Sequence, residues 1–349
     1  MDMKRDYYED VELFSSAVIW FWFLALLAAL AVFPFLVKNY YVYLVNYLAI
    51  NVIVVMGLNI LVGYTGLMSL GHAGFFAVGA YGTVLFMTHL HLPFLVALPA
   101  AALVAALLGF LLGLPALRLE GPYLAIATLG FGITITQVIG RIEIFGGRQG
   151  LHAPELVIGF WRLDTDRDFY FLAVPLAVLL CLAARNILKT RVGRAFVAIR
   201  DAEIAAETIG VNLTYYKTLA FAVSAFYAGI GGGLYAFVLR FIEPELFSLL
   251  MSIMFLAMAV VGGLGSIMGA VTGACLLSWL DLQLRNILSV PVLGAWLEAL
   301  SKNYFSITGV SNIQFVVFGL ILILIMIFEP LGLYGFWIRA KKYWKTWPF

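Results

Sequence analysis

The sequence predicts an all-α fold, a polytopic transmembrane bundle of about ten membrane-spanning or re-entrant helices. Of its 349 residues, 64% are hydrophobic and 11% charged. A soluble domain carries roughly 45–50% apolar and about 25% charged residues, and no water-soluble fold of this length hides so much apolar surface. In a bilayer only helices and closed barrels satisfy every backbone polar group. The apolar runs here are long and unbroken, which fits helices, because barrel strands alternate over about ten residues.

A spanning helix needs ~20 mostly apolar residues. The first such run is Leu13 to Val37 and the second Tyr41 to Val62. The segment before them, Met1 to Glu12, mixes Lys4 and Arg5 with five acids. The run after it is too long for a signal-peptide core and lacks a small-residue cleavage pattern, so it reads as a helix that stays attached. A glycine-rich stretch, Gly63 to Gly74, leads into apolar Phe75 to Met87. Leu92 to Leu114, Tyr123 to Ile139 and Phe169 to Leu188 follow. Beyond a polar loop come Thr218 to Leu239, Phe247 to Val261, Ser266 to Leu284 and Ile313 to Phe328. The glycine-rich region and the stretch after Gly121 are the two candidates for re-entrant rather than spanning segments.

The whole chain, residues 1–349, reads as one transmembrane domain. With the N-terminus inside and ten crossings, basic clusters at the N-terminus, the 189–217 loop and the C-terminus share one side, as the positive-inside bias requires. Both termini are then cytoplasmic. Two segments on the opposite side are long enough to fold on the surface, 140–168 and 285–312; the first holds five acids and four arginines.

Glycines four apart (Gly109 and Gly113, Gly229 and Gly233, then Gly265, Gly269 and Gly273) make stripes along which helix backbones approach closely in lipid. The stretches 63–74 and 262–273 echo one another, a hint of the internal repeats that many transporters carry. Cys181 and Cys275 lie alone inside apolar runs and read as packing residues, with a disulfide or metal pair as the alternative.

Several chemistries lack their residues. The dipeptide Gly-Lys occurs nowhere, so there is no phosphate-cradling loop. No His-Glu-x-x-His motif exists among His72, His89, His91 and His152. Ser69 and His72 lie three apart but have no nearby acid to orient the histidine as nucleophilic catalysis requires. The net charge of +2 and the absence of basic runs with interleaved aromatics give no nucleic-acid surface. The chain therefore reads as no enzyme, with no metal site and no cofactor of its own. The spans also hold almost no charge, whereas ion-coupled transporters place acids or bases at membrane depth. Asp281 reads as an interfacial cap near a span end. Energy for active transport must enter from elsewhere, or the protein is a passive channel.

The membrane-embedded polar residues are mostly uncharged. Asn59, Thr65, Ser69 and His72 combine with glycines that can break a helix, and irregular backbone at membrane depth is tolerated where it lines a cavity or is buried in protein. With Thr128, Thr134 and Gln137 they are the translocation-path candidates. The loop from Lys189 to Lys217 is rich in helix formers, with Asp201 and Gly210 as start and stop signals, so two short helices are expected, one on each side of Asp201. Ala202, Ala205, Ala206 and Ile209 fall on one helical face.

Within that loop, Glu203-Ile-Ala-Ala-Glu-Thr-Ile-Gly210 resembles the coupling loop of ABC importer permeases. The segment from Gly57 to Tyr81, with Gly-Tyr-Thr-Gly-Leu-Met-Ser-Leu-Gly-His-Ala-Gly at 63–74, resembles the N-terminal signature of branched-chain amino acid permeases of the LivM type. Gly121-Pro-Tyr-Leu-Ala-Ile-Ala-Thr-Leu-Gly-Phe131, Lys217 to Phe237 and Val261-Gly-Gly-Leu-Gly-Ser266 extend the resemblance over most of residues 57–328. One departure stands out. Where the family usually has Thr-Gly-Gly-x-x-Gly, this chain has Phe145-Gly-Gly-Arg-Gln-Gly150.

The resemblance implies a permease subunit in the bacterial or archaeal inner membrane. Its implied partners are a second homologous permease, two ATPase subunits that bind the ATP, and a solute-binding protein. Glu203, Ala205, Ala206, Glu207 and Gly210 would form the ATPase contact, while Arg141 and Arg148 lie where a binding protein would dock. Leucine, isoleucine and valine are the implied substrates. Urea or short amides, carried by related permeases, remain the alternative, as does a passive channel or an ion-coupled transporter.

Overall fold

The computed structural model describes residues 17–116, 119, 121–158, 161–288, 310–329 and 332–346. Met1 to Glu12, Arg118 and all but the helical ends of the 285–312 segment lie outside the described residues. The helices are α1 (Ala17–Leu36), α2 (Asn39–Asn59), α3 (His72–Thr88), α4 (Phe94–Ala116), α5 (Pro122–Arg141) and α6 (Asp166–Lys189). Then come α7 (Arg191–Asp201), α8 (Glu203–Thr208), α9 (Leu213–Leu239), α10 (Leu249–Gly262), α11 (Ile267–Leu288), α12 (Val310–Phe328) and α13 (Leu333–Thr346). A π-helical turn, Ile60–Tyr64, continues α2.

Among the described residues, 8 helices are long and apolar enough to cross a membrane, and two shorter apolar helices, Trp20–Leu36 and His72–Thr88, join them. The protein is a multi-pass membrane helical bundle. The stretch after Gly121 forms a full-length helix of 20 residues with Pro122 in its first turn, where a missing N–H costs nothing. The glycine-rich stretch instead breaks the chain: the π-helical turn ends at Tyr64, residues 66–71 are non-helical, and α3 starts at His72. At 17 residues, α3 is about 25 Å long, shorter than a ~30 Å hydrocarbon core.

Several helices outrun their apolar segments because polar residues cap them. Thr165 and Asp168 form a reciprocal capping box at the start of α6. The Asn212 carbonyl Oδ1 accepts the Tyr215 N–H at 3.0 Å, starting α9 five residues before the apolar run. Such caps satisfy the free N–H groups of the first turn.

Helix α9 is the hub, packed along α4, α3 and α2. A methyl group added at Gly109 would meet Ala225 Cβ at 2.5 Å, one at Gly113 would meet Thr218 Cα at 2.8 Å, and one at Gly229 would meet Ala102 Cα at 2.9 Å. Gly79 and Gly232 face the Gly229 and Phe76 carbonyls still more closely. Lipid offers no hydrophobic drive between helices, so this backbone-to-backbone contact is what holds them. The third stripe works differently: Gly269 and Gly273 pack on Gly262 of α10, whereas Gly265 belongs to the turn before α11. Side-chain ties cross the bundle. Asn46 Nδ2 donates to the Asp166 carbonyl, Asn51 Nδ2 to Ser278 Oγ, and the Tyr227 hydroxyl to the Leu180 carbonyl, each at 2.8 Å.

Asp281 is buried at 3% exposure, with the Tyr47 hydroxyl donating to it at 3.4 Å. That corrects the expectation of an interfacial cap: Asp281 lies within α11, which runs on to Leu288, and it is buried against α2. Cys181 and Cys275 are both free.

The bundle has two dissimilar ends. One carries α7 and α8. The other carries short antiparallel strand pairs, β1 (Leu151–His152) with β4 (Phe241–Ile242), and β2 (Val157–Ile158) with β3 (Trp161–Arg162). The Arg240 guanidinium closes this second end by donating to the Asp164 carbonyl at 2.6 Å.

Candidate functional site

The 189–217 segment forms the two helices expected of it. Helix α7 starts with the Thr190 hydroxyl accepting the Val192 N–H at 3.2 Å, and it buries Gly193, Ala195, Phe196 and Ile199. Helix α8 ends in a Schellman motif: the Gly210 N–H reaches the Glu207 carbonyl at 2.9 Å and the Val211 N–H the Ala206 carbonyl at 3.0 Å. Gly210 has φ +90 with open space around it, so glycine is demanded there by backbone conformation and not by packing.

Of the predicted coupling residues, Ala206 is buried against the bundle, whereas Ala205, Glu207 and Gly210 are exposed. Glu203 forms an ion pair with Lys217, whose side chain is 3% exposed. This pair ties the start of α8 to the first turns of α9. The same tie leaves Ile204 and Ile209 pointing away from the chain at 81% and 76% exposure. These two are the apolar surface of α8.

The break between α2 and α3 is braced rather than open. Asn59 is fully buried; its Nδ2 donates to the Ser266 carbonyl at 2.8 Å, and its Oδ1 accepts the Gly265 N–H at 3.0 Å. One amide side chain thus ties the end of α2, just before the first glycine-rich stretch, to the second. The Thr65 hydroxyl donates to the Ile60 carbonyl at 3.0 Å. From α7, Arg200 Nη1 donates to the Gly63 carbonyl at 3.0 Å.

Past the break, His72 is fully buried, with Nδ1 3.2 Å from Ser69 Oγ and Nε2 2.7 Å from Ser224 Oγ of α9. The Thr128 hydroxyl of α5 accepts the Leu70 N–H at 3.0 Å, and Ser252 of α10 accepts the Ala73 N–H at 2.9 Å. The Ala73 N–H in the first turn of α3 and the Leu70 N–H just before it thus go to side chains of two neighbouring helices. Asn59, Thr65, Ser69, His72 and Thr128 hold the break in place with these bonds.

Thr134 and Gln137 are exposed on the outer face of α5. Thr134, Gln137 and Arg141 recur at helical spacing, so a polar stripe runs down this face of α5. At the strand-bearing end it opens into a cavity of about 480 Å³ lined by Ile133, Thr136, Gln137, Gly140, Arg141, Arg148, Pro244, Glu245, Phe247 and Ser248. A second, narrow cavity of about 20 Å³ shares Ile133, Thr136, Phe247 and Ser248, and reaches Leu70, Ala73 and Ser252. Together they trace a line from Arg141 and Arg148 to the head of α3. Among the described residues no group of three or more His, Cys, Asp or Glu gathers as a metal site.

Sequence reasoning missed Arg200, Lys217 and Glu245 as site residues. The signal for Lys217 was its position one residue before an apolar run. Arg200 and Glu245 carried none, because their neighbours lie far off along the chain.

The chain that folds this way has relatives in sequence. The family described as "Branched-chain amino acid transport system / permease component" matches residues 40–326. The chain belongs to that family. It is a family of transport permeases rather than of enzymes. The high-affinity branched-chain amino acid transport system permease protein LivM of Escherichia coli K12 is 38% identical over 283 residues, and that of Salmonella typhimurium LT2 is 37% identical over 281. Each match covers 73% of this chain and 66% of the relative, so the chain spans slightly under two thirds of those relatives' length. No solved structure matches the chain.

Proposed function

We propose that this protein is the permease subunit of an ATP-driven importer that carries leucine, isoleucine and valine across the inner membrane of a bacterium or archaeon. It works with a second homologous permease, two ATPase subunits that supply the ATP site, and a solute-binding protein. The observation that carries this reading is α8. Two isoleucines are held almost fully exposed at the tip of a charged loop by a capped helix end and an ion pair with a buried lysine. Exposed apolar side chains fixed in this way fit a groove on a partner, and a rigid tie to α9 passes the partner's motion into the hub. The loop end is then cytoplasmic, as are both termini, and the strand-bearing end faces the binding protein.

The cavity at that opposite end supports amino acids over urea. Arg141 and Arg148 offer cations and Glu245 an anion around one 480 Å³ space, matching the carboxylate and ammonium of a zwitterion. Urea has neither charge. The polar stripe of Thr134 and Gln137 faces outward from this chain and forms one wall of a path that the second permease completes.

Ile204→Asp and Ile209→Asp test the reading in the reconstituted complex. Both are expected to abolish ATPase association and the uptake of radiolabelled leucine. Full ATP-dependent uptake by the double variant rejects the coupling contact, and uptake of urea in place of leucine rejects the substrate.

A further inference from the structure

Arg200, at the end of α7, is exposed on one side and reaches into the bundle on the other. Its Nε and Nη2 bond Asp201 Oδ1 at 2.9 and 2.8 Å, which fixes the guanidinium plane and aims Nη1 at the Gly63 carbonyl. That carbonyl lies in the last turn of the π-helical extension of α2, where the helix leaves carbonyls unpaired and a partial negative charge accumulates.

The site is built for this arginine. A methyl group on Gly66 would meet Arg200 Cγ at 3.2 Å, and one on Gly265 would meet Arg200 Nη1 at 3.0 Å and the Gly63 carbonyl oxygen at 3.1 Å. Gly66 and Gly265 have φ +76 and +73, a region that favours glycine on its own account. Asn59 then carries the contact onward, because its side chain grips both Gly265 and Ser266 in the turn between α10 and α11.

We propose that Arg200 is a positioning residue for energy coupling: it clips the loop helices to the break after α2, so that displacement of α7 and α8 moves Gly63, Asn59 and the α10–α11 turn as one joint. This rests on the importer reading above. Helix α8 receives the push, and Arg200 delivers it to a place where the backbone leaves regular α-helix inside the bundle. The adjoining turn follows α10, which lines the narrow cavity through Ser252 and through Ser248 at its N-cap. Loss of the clip therefore separates ATP hydrolysis from the change of access.

The test uses the complete complex in proteoliposomes with loaded binding protein and compares wild type, Arg200→Ala, Arg200→Lys, Asp201→Ala and the Arg200→Ala/Asp201→Ala pair. Leucine transported per ATP hydrolysed is the readout. Arg200→Ala is expected to keep ATPase association and hydrolysis while transport per ATP falls at least tenfold. Arg200→Lys, which keeps one donor, should recover part of it. Asp201→Ala, which frees the guanidinium plane, should fall likewise, and the pair should be no worse than Arg200→Ala alone, because Asp201 acts through Arg200. Unchanged transport per ATP in Arg200→Ala overturns the proposal, as do independent, multiplying losses in the pair. A wild-type complex that shows no ATP-dependent uptake fails the importer reading itself, which is a distinct result.

Discussion

Replacing Gly109 by alanine puts a methyl carbon 2.5 Å from Ala225 Cβ and 2.7 Å from the Phe221 carbonyl oxygen. Unstrained carbon contacts lie at about 3.5–4.0 Å, so α4 and α9 must separate by roughly 1 Å along a stretch where Gly113 and Gly229 are packed as tightly. Overpacking of a close-packed interior costs about 1–3 kcal/mol. Alanine's better helix propensity returns up to about 1 kcal/mol. A net loss of about 1–2 kcal/mol is expected. Gly130 in α5 is the matched control, since a methyl group there meets nothing within 4 Å; Gly130→Ala should be neutral or stabilising by up to about 1 kcal/mol. Unfolding of the purified protein by titrated denaturing detergent, followed by helical circular dichroism, reads both. Equal midpoints for Gly109→Ala and Gly130→Ala would refute the claim that backbone approach on α9 holds the bundle together.

Glu203→Gln leaves the buried Lys217 ammonium without its partner. Because Glu203 is 38% exposed, water softens the loss to about 1–2 kcal/mol, and Glu203→Gln with Lys217→Met should recover most of it in a thermal double-mutant cycle. Thr134→Cys and Gln137→Cys should react with a membrane-impermeant thiol reagent far faster than Thr128→Cys, which is fully buried; equal rates would contradict the outward polar stripe. Asn59→Ala removes two hydrogen bonds, since the Ser266 carbonyl and the Gly265 N–H lose their partner, and should cost about 1–3 kcal/mol by the same unfolding assay. Asn59→Leu should not restore stability if the hydrogen bonds carry the effect.

The helices were legible because apolar length and composition decide membrane crossing with little help from tertiary context. The break before α3 was legible as glycine clustering, and the stop after α8 as Gly210, because both are local backbone demands. The candidate path residues were legible only as polar groups. Whether Asn59 lines a channel or braces a turn depends on Ser266, 207 residues away, and no local pattern carries that. Thr134 and Gln137 look like Thr128 in sequence, yet a rotation of less than a turn separates an exposed face from a buried one. Arg200 reads as one more positive charge in a basic loop until its partner at Gly63, 137 residues distant, is in place.

The glycine cluster on α9 has a mechanical corollary. Gly229, Gly231, Gly232 and Gly233 bring backbone or short side chains of α2, α3 and α4 into direct contact with α9, so none of these helices can slide past another without collision. The four travel as a block. Any change of access must then be absorbed at joints outside that block, such as the turn before α11, which makes that short segment a place where flexibility is worth measuring.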